Sequence, residues 1–189
     1  MDSRSFWNVP NTLTVGRLAL ALVVFALIAE RYFLSALAVF GVAALTDALD
    51  GYLARRLGQC TAIGRQLDPL VDKVIVTGAF IYLLTIEGTG LAPWMVTAIV
   101  VRELIVQALR SLIEGRGEPF GARRAGKLKT LFQCLAISAI LLGLAIQPGP
   151  RWLWFRDALT GTAIVLTIYS GLGYVILAWP KLRGDAPVA

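Results

Sequence analysis

Six apolar segments, at about residues 13–29, 34–53, 67–86, 93–113, 128–146 and 159–179, take up most of the 189-residue chain. Each approaches the roughly 20 residues that a helix needs to cross a bilayer. Between them lie ERYF, LGQCTAIG, EGTG, EGRGEPFGARRAGK and QPGPRW, short stretches rich in Gly, Pro and polar residues, as connections are. Composition agrees with a membrane chain: 57% of residues are hydrophobic and 16% charged, against roughly 25% charged in soluble domains. A soluble all-helical protein of this length exposes too much surface for so few charges. The fold expected is all-α: an integral membrane bundle of six transmembrane helices in one domain over 1–189. Residues 1–12 form an interfacial N-terminal segment, 13–180 the bundle and 181–189 a cytoplasmic tail. There is no internal repeat and no low-complexity tract.

Charge sets the orientation. Arg31, Arg151 and Arg156 fall in the 1–2 and 5–6 connections. The other Lys and Arg residues fall at the two termini, in the 2–3 and 4–5 connections and at nearby helix ends. Basic residues stay in the cytoplasm, so both termini are cytoplasmic, as six spans require. The expected location is the cell membrane, multi-pass, among membrane lipids and with no nucleic-acid partner. Trp7, Trp94, Trp152, Trp154 and Trp179 sit near span ends, where interfacial aromatics belong. The run 18–29 has the length of a signal-peptide core. However, Arg17 precedes it and ERYF follows in place of a small-residue cleavage site, so it reads as an uncleaved first helix.

The chain has no histidine, which removes the commonest general base and the commonest transition-metal ligand. Cys60 and Cys134 form no CxxC and indicate neither a disulfide framework nor a zinc site. A metal in this chain is held by carboxylates, whose hard oxygens suit Mg²⁺ or Mn²⁺.

Four aspartates stand at or inside the second and third apolar segments, where a carboxylate costs several kcal/mol unless compensated. Asp47, Asp50, Gly51, Ala54 and Arg55 fall at i, i+3, i+4, i+7 and i+8, one face of a helix. Gly64, Asp68 and Asp72 fall at i, i+4 and i+8 of the next. The small residues leave room for a ligand to approach the backbone, and a guanidinium suits a bidentate contact with phosphate. A short link makes the two helices antiparallel neighbours, and one or two divalent ions would relieve the repulsion of four converging carboxylates. Pro69 marks either the true helix start or a kink. Three other readings stand beside this one. Asp50–Gly51 is a turn that ends the second helix near Leu45; Asp47 and Asp72 are structural ion-pair partners of Arg55 and Lys73; or the acids line an ion pathway in a cation transporter.

The pattern Asp47-x-x-Asp50-Gly51-x-x-Ala54-Arg55, eight residues, Gly64, three residues, Asp68, three residues, Asp72 resembles the signature of the CDP-alcohol phosphotransferase family at every fixed position. Members move a substituted phosphate from a CDP-linked donor to an alcohol and release CMP. The resemblance implies that Asp47, Asp50, Asp68 and Asp72 ligate two metal ions, Mg²⁺ or Mn²⁺, and that Asp72 is also the base for the attacking hydroxyl. It implies that Gly51, Ala54, Arg55, Thr61 and Gly64 receive the donor, with Asn11 and Thr12 of the Pro10-Asn11-Thr12 run beside them. It further implies a homodimer, which nothing in the residues themselves indicates.

The acceptor is read from the 4–5 region. Arg102, Glu103, Gln107 and Arg110 share a helical face, and Arg123, Arg124, Lys127 and Lys129 cluster after the loop. A positive-inside loop beside anionic lipid accounts for Arg116, Arg123 and Arg124. Arg102 lies inside a span and calls for an anionic partner; a phosphate-bearing acceptor supplies one. Arg102, Arg110, Arg123 and Lys127 are therefore the candidate acceptor-phosphate residues. The runs VRELIV, GKLKTLFQ and NVPNTLTVGRL resemble the branch of the family that joins CDP-diacylglycerol and glycerol 3-phosphate into phosphatidylglycerophosphate and CMP. Phosphatidylglycerol and inositol phosphate are the alternative acceptors. The transporter reading is separated from all of these by a simple observation: only the enzyme releases CMP, and it needs no ion gradient.

Overall fold

The computed structural model describes residues 9–57, 62–115 and 124–183, with side chains over 16–46, 73–115 and 126–182. Every regular element among them is a helix: α1 (Val9–Ala29), α2 (Phe33–Leu57), α3 (Ala62–Leu84), α4 (Pro93–Gly115), α5 (Arg124–Ile146) and α6 (Pro150–Arg183). Each of the six apolar segments lies within or nearly within one helix. Two of the helices are long and apolar enough to cross a membrane by length and composition, Gly126–Ile146 and Pro150–Leu182. Within the described residues the apolar parts of α1, α2 and α3 are shorter, Gly16–Ala29, Phe33–Thr46 and Lys73–Leu84.

Helix boundaries depart from expectation at two places, each for a local reason. Val9–Thr12 are the first turn of α1, not part of a separate interfacial segment. Pro10 fits there, because a first-turn N–H has no helical acceptor to lose. α6 begins at Pro150, nine residues before the apolar run, so RWLWFRD is helical. Proline again opens the helix, as Pro93 opens α4. At 1.5 Å per residue α6 is about 51 Å long, well beyond the roughly 30 Å hydrocarbon core. Two residues that commonly break helices do not do so here. α2 runs through Asp50–Gly51 to Leu57, which removes the turn reading. α3 starts at Ala62, so Pro69 lies inside the helix and does not mark its start. The backbone nitrogen of Pro69 cannot donate to the carbonyl of Arg65.

The chain divides into two compact units, residues 1–89 with 137–148 and residues 90–136 with 149–189. In the first, α1 packs against both α2 and α3. Ala21, Val24 and Ile28 of α1, Phe40 of α2, and Phe80 and Leu83 of α3 are buried. Phe25 stacks on Tyr82 with ring centroids 5.0 Å apart and planes 9° from parallel. In the second, α4 packs against α6. Val106 and Ile113 meet Tyr174 and Ala178 in its apolar core. The outer face of α6 is apolar too: Val165, Tyr169, Leu172 and Ile176 are exposed at i, i+4, i+7 and i+11. A continuous exposed stripe of this kind suits lipid and is costly in water.

Two turns carry left-handed backbone. After α1, Tyr32 N–H donates to the Leu27 carbonyl at 2.8 Å and Arg31 N–H to that of Ile28 at 3.0 Å. This is the paired closing bond of a Schellman turn, and Arg31 holds its left-handed position at φ 62°. Glycine usually takes that place. Arg31→Gly is expected to stabilise the fold by about 0.5–1 kcal/mol, since the left-handed penalty of an L side chain exceeds glycine's extra chain entropy. Thermal unfolding in detergent measures it. Between α3 and α4, Gly90 has φ 74°. A Cβ there would lie 2.5 Å from the Arg156 guanidinium and 2.8 Å from Asp157 Oδ1. Both turn conformation and space therefore require glycine at 90.

Candidate functional site

The four aspartates fall on two consecutive helices: Asp47 and Asp50 on the last part of α2, Asp68 and Asp72 on the first part of α3. A link of four residues, 58–61, joins them. At 1.5 Å per residue, Asp50 lies about 10.5 Å along its helix from the link and Asp68 about 9 Å. Asp47 and Asp72 both lie about 15 Å from it. The two pairs thus match in depth along the two helices. Because α2 is unbroken, Asp47, Asp50, Gly51 and Ala54 keep their i, i+3, i+4, i+7 relation, and Gly64, Asp68 and Asp72 keep theirs on α3. The side chains of the four aspartates lie outside the described residues. Arg55 is on α2, Gly64 on α3, and Asn11 and Thr12 in the first turn of α1. Thr61 and Arg123 lie outside the described residues. Four aspartates on consecutive helices, in a chain without histidine, are a hard-oxygen donor set that fits Mg²⁺ or Mn²⁺.

The second unit holds the basic residues. Arg102 and Arg110 lie eight residues apart on α4, about 12 Å along the axis. Arg102 is buried, with 9% of its surface exposed. Arg110 is half-buried, its Nε 3.9 Å from Glu114 Oε1. Lys127, in the first turn of α5, is exposed.

Arg102 has an anionic partner within the chain. Its NH1 donates to both carboxylate oxygens of Glu103, at 3.1 and 3.3 Å. Its NH2 donates to Ser170 Oγ on α6 at 3.0 Å, and its Cζ lies 5.5 Å from the centre of the Tyr174 ring. Lys129 of α5 forms an ion pair with the same Glu103 carboxylate. Next to this, Gln133 Nε2 donates to Thr167 Oγ1 at 3.0 Å. The arginine therefore does not need an external anion to account for its burial in α4. Residue-by-residue reading put Glu103 and Lys129 among the charges but missed that they join. The available signal was periodicity. Lys129 and Gln133 are i and i+4 on α5, and Thr167, Ser170, Gly171 and Tyr174 are i, i+3, i+4 and i+7 on α6. Two polar stripes on apolar helices, facing an Arg-Glu pair on a third, read as one buried network.

Comparison with known proteins agrees with the aspartate pattern. The CDP-alcohol phosphatidyltransferase family profile matches residues 7–173, from before α1 into the second half of α6. The chain belongs to the CDP-alcohol phosphatidyltransferase family and is an enzyme of that class. It is similar to the CDP-diacylglycerol–glycerol-3-phosphate 3-phosphatidyltransferase of Bacillus subtilis (strain 168), with 35% identity covering 94% of this chain and 98% of the relative. The Pseudomonas fluorescens protein of the same name is 37% identical over 94% of this chain and 93% of its own. The Cereibacter sphaeroides one is 38% identical over 95% and 99%.

Proposed function

We propose that this chain transfers the phosphatidyl group of CDP-diacylglycerol to glycerol 3-phosphate, giving phosphatidylglycerophosphate and CMP. The observation that carries the reading is full-length similarity, 94–95% of this chain, to three proteins named for that reaction. The unbroken aspartate pattern on α2 and α3 supports it.

In this mechanism Asp47, Asp50, Asp68 and Asp72 hold two divalent cations, Mg²⁺ or Mn²⁺. When bound, these neutralise the donor pyrophosphate, polarise the attacked phosphorus and stabilise the departing CMP. Gly51 and Ala54 keep the α2 face open to the cytidine nucleotide, and Arg55, Thr61, Gly64, Asn11 and Thr12 orient the donor. Asp72 takes the proton of the attacking hydroxyl, a role open to a carboxylate in a chain without histidine. The hydroxyl oxygen forms its bond to phosphorus as the bond to CMP breaks. Arg102, Arg110, Arg123 and Lys127 bind the acceptor's phosphate, which is roughly dianionic near neutral pH. The six helices are the six membrane spans, with both termini and the site on the cytoplasmic side, as the basic connections require.

The function is tested by the lipid product. Purified protein given CDP-diacylglycerol vesicles and glycerol 3-phosphate is expected to yield a lipid with the mass of phosphatidylglycerophosphate; an unchanged lipid pool would overturn the reading. Residue roles are tested by kinetics. Arg110→Ala removes a charge-assisted contact worth about 1.5–3 kcal/mol, so the KM for glycerol 3-phosphate should rise roughly ten- to a hundredfold. The Arg110–Glu114 pair is at 3.9 Å and partly exposed. Its loss costs little stability, so the change reports binding. Arg55→Ala should raise the KM for CDP-diacylglycerol instead. An unchanged acceptor KM in Arg110→Ala would place this arginine with the basic residues that only face anionic lipid.

A further inference from the structure

Glu103 sits between two cations. Residues i and i+1 of a helix do not face each other, so the Arg102–Glu103 contact exists only because both side chains turn to one point. Ser170 draws the guanidinium there from α6, and Lys129 draws the carboxylate from α5. Glu103 is 6% exposed, Lys129 4% and Arg102 9%. On the α6 side Gly171 touches Arg102: a Cβ at 171 would lie 2.9 Å from Arg102 Cγ. The guanidinium is thus held by Glu103, Ser170 and the Tyr174 ring, and the Arg102 stem lies close against Gly171. Two features remain unmatched. Among the described residues, Arg102 Nε is buried without a hydrogen-bond partner. Among the described residues, two cations around one carboxylate also leave the cluster with a surplus positive charge. A buried donor without an acceptor and a buried surplus charge both favour an arriving anion.

We propose that Glu103 is a positioning residue for the acceptor: its carboxylate fixes the Arg102 guanidinium so that the free Nε–H and the surplus charge are presented to the phosphate of the incoming alcohol. This rests on the phosphate-bearing acceptor proposed above. Glu103 touches neither substrate and acts through Arg102. Its second task is to hold Lys129, which links α4 to α5 two residues beyond Lys127. A purely structural glutamate would do only that.

The two roles are separated by charge-balanced variants. Glu103→Gln leaves two cations facing each other and endangers the fold. Glu103→Gln combined with Lys129→Met keeps the net charge of the wild-type cluster but removes the anchor of Arg102. Gly171→Ala keeps every charge and displaces Arg102 directly. Both the double variant and Gly171→Ala are expected to raise the KM for glycerol 3-phosphate by about tenfold or more. The KM for CDP-diacylglycerol should stay within about twofold, because a contact to one substrate is what is lost. If wild type turns over glycerol 3-phosphate and the double variant does so with unchanged KM, Glu103 only balances Lys129 and the inference is wrong. A fall in kcat with both KM values unchanged would be equally contrary. Wild type that releases CMP with uncharged alcohols but not with glycerol 3-phosphate would overturn the acceptor reading and this inference together.

Discussion

Asp72→Asn should insert and fold as the unchanged chain does and yet lose turnover by about 10²–10⁴-fold, the range of a missing general base. The substitution changes one oxygen for an amide of nearly the same size, so helix α3 keeps its packing against α1. An amide cannot take the hydroxyl proton, and it is a poor ligand for a hard cation. Asp72 lies two turns beyond Gly64 on α3, and the proposed mechanism gives it both the metal and the hydroxyl proton. Asp47→Asn should weaken metal binding without removing the base, so excess Mg²⁺ should restore part of its activity and none of that of Asp72→Asn. Initial rates of CMP release across a Mg²⁺ titration distinguish the two. Near-normal turnover by Asp72→Asn would refute the base assignment.

Removal of divalent metal is expected to have an effect of the same size or larger. On the proposed mechanism, excess chelator leaves Asp47, Asp50, Asp68 and Asp72 without the cations that would offset the charge of the donor pyrophosphate. Activity should fall to background and return with Mg²⁺ or Mn²⁺. A stability change should accompany it. An ion at a hundred times its dissociation constant stabilises the folded state by about 2.7 kcal/mol, so thermal unfolding in detergent should shift upward when metal is restored. Full activity in excess chelator would remove the metal from the mechanism. A melting shift without recovery of activity would keep the metal site and detach it from catalysis.

The elements were legible because their cause is local. A run of about twenty apolar residues bounded by Gly and Pro has few alternatives to a helix, and each of the six runs lies within or nearly within one helix. The two misplaced boundaries share one cause, a proline in the first turn: Pro10 and Pro150 open α1 and α6 earlier than the apolar runs begin. Pro10 sits in a first turn, and the helical stripe on both sides of Asp50–Gly51 carries the helix through it. Pro150 is a start signal, but QPGPRW reads as a connection for its Gly, Pro and polar residues. The aspartates were legible for the same local reason, since i, i+3 and i, i+4 relations are set by the chain itself. The Arg102–Glu103–Lys129–Ser170 network was not. Lys129 lies 26 residues from Glu103, and Ser170 lies 68 from Arg102. No helical period relates residues on different helices. A charged residue in a span signals that a partner exists; it does not say whether that partner is a neighbour or a substrate. For Arg102 the chain supplies Glu103, and the unmatched Nε is what keeps a substrate role open.

The central claim is that this chain moves a phosphatidyl group to the phosphate monoester glycerol 3-phosphate. Its most direct test is CMP release by purified protein from CDP-diacylglycerol, with glycerol 3-phosphate, glycerol, inositol phosphate and phosphatidylglycerol supplied one at a time. Release that depends on glycerol 3-phosphate and exceeds that with every other acceptor is the predicted result. Equal release with plain glycerol, or the fastest release with phosphatidylglycerol, would contradict it.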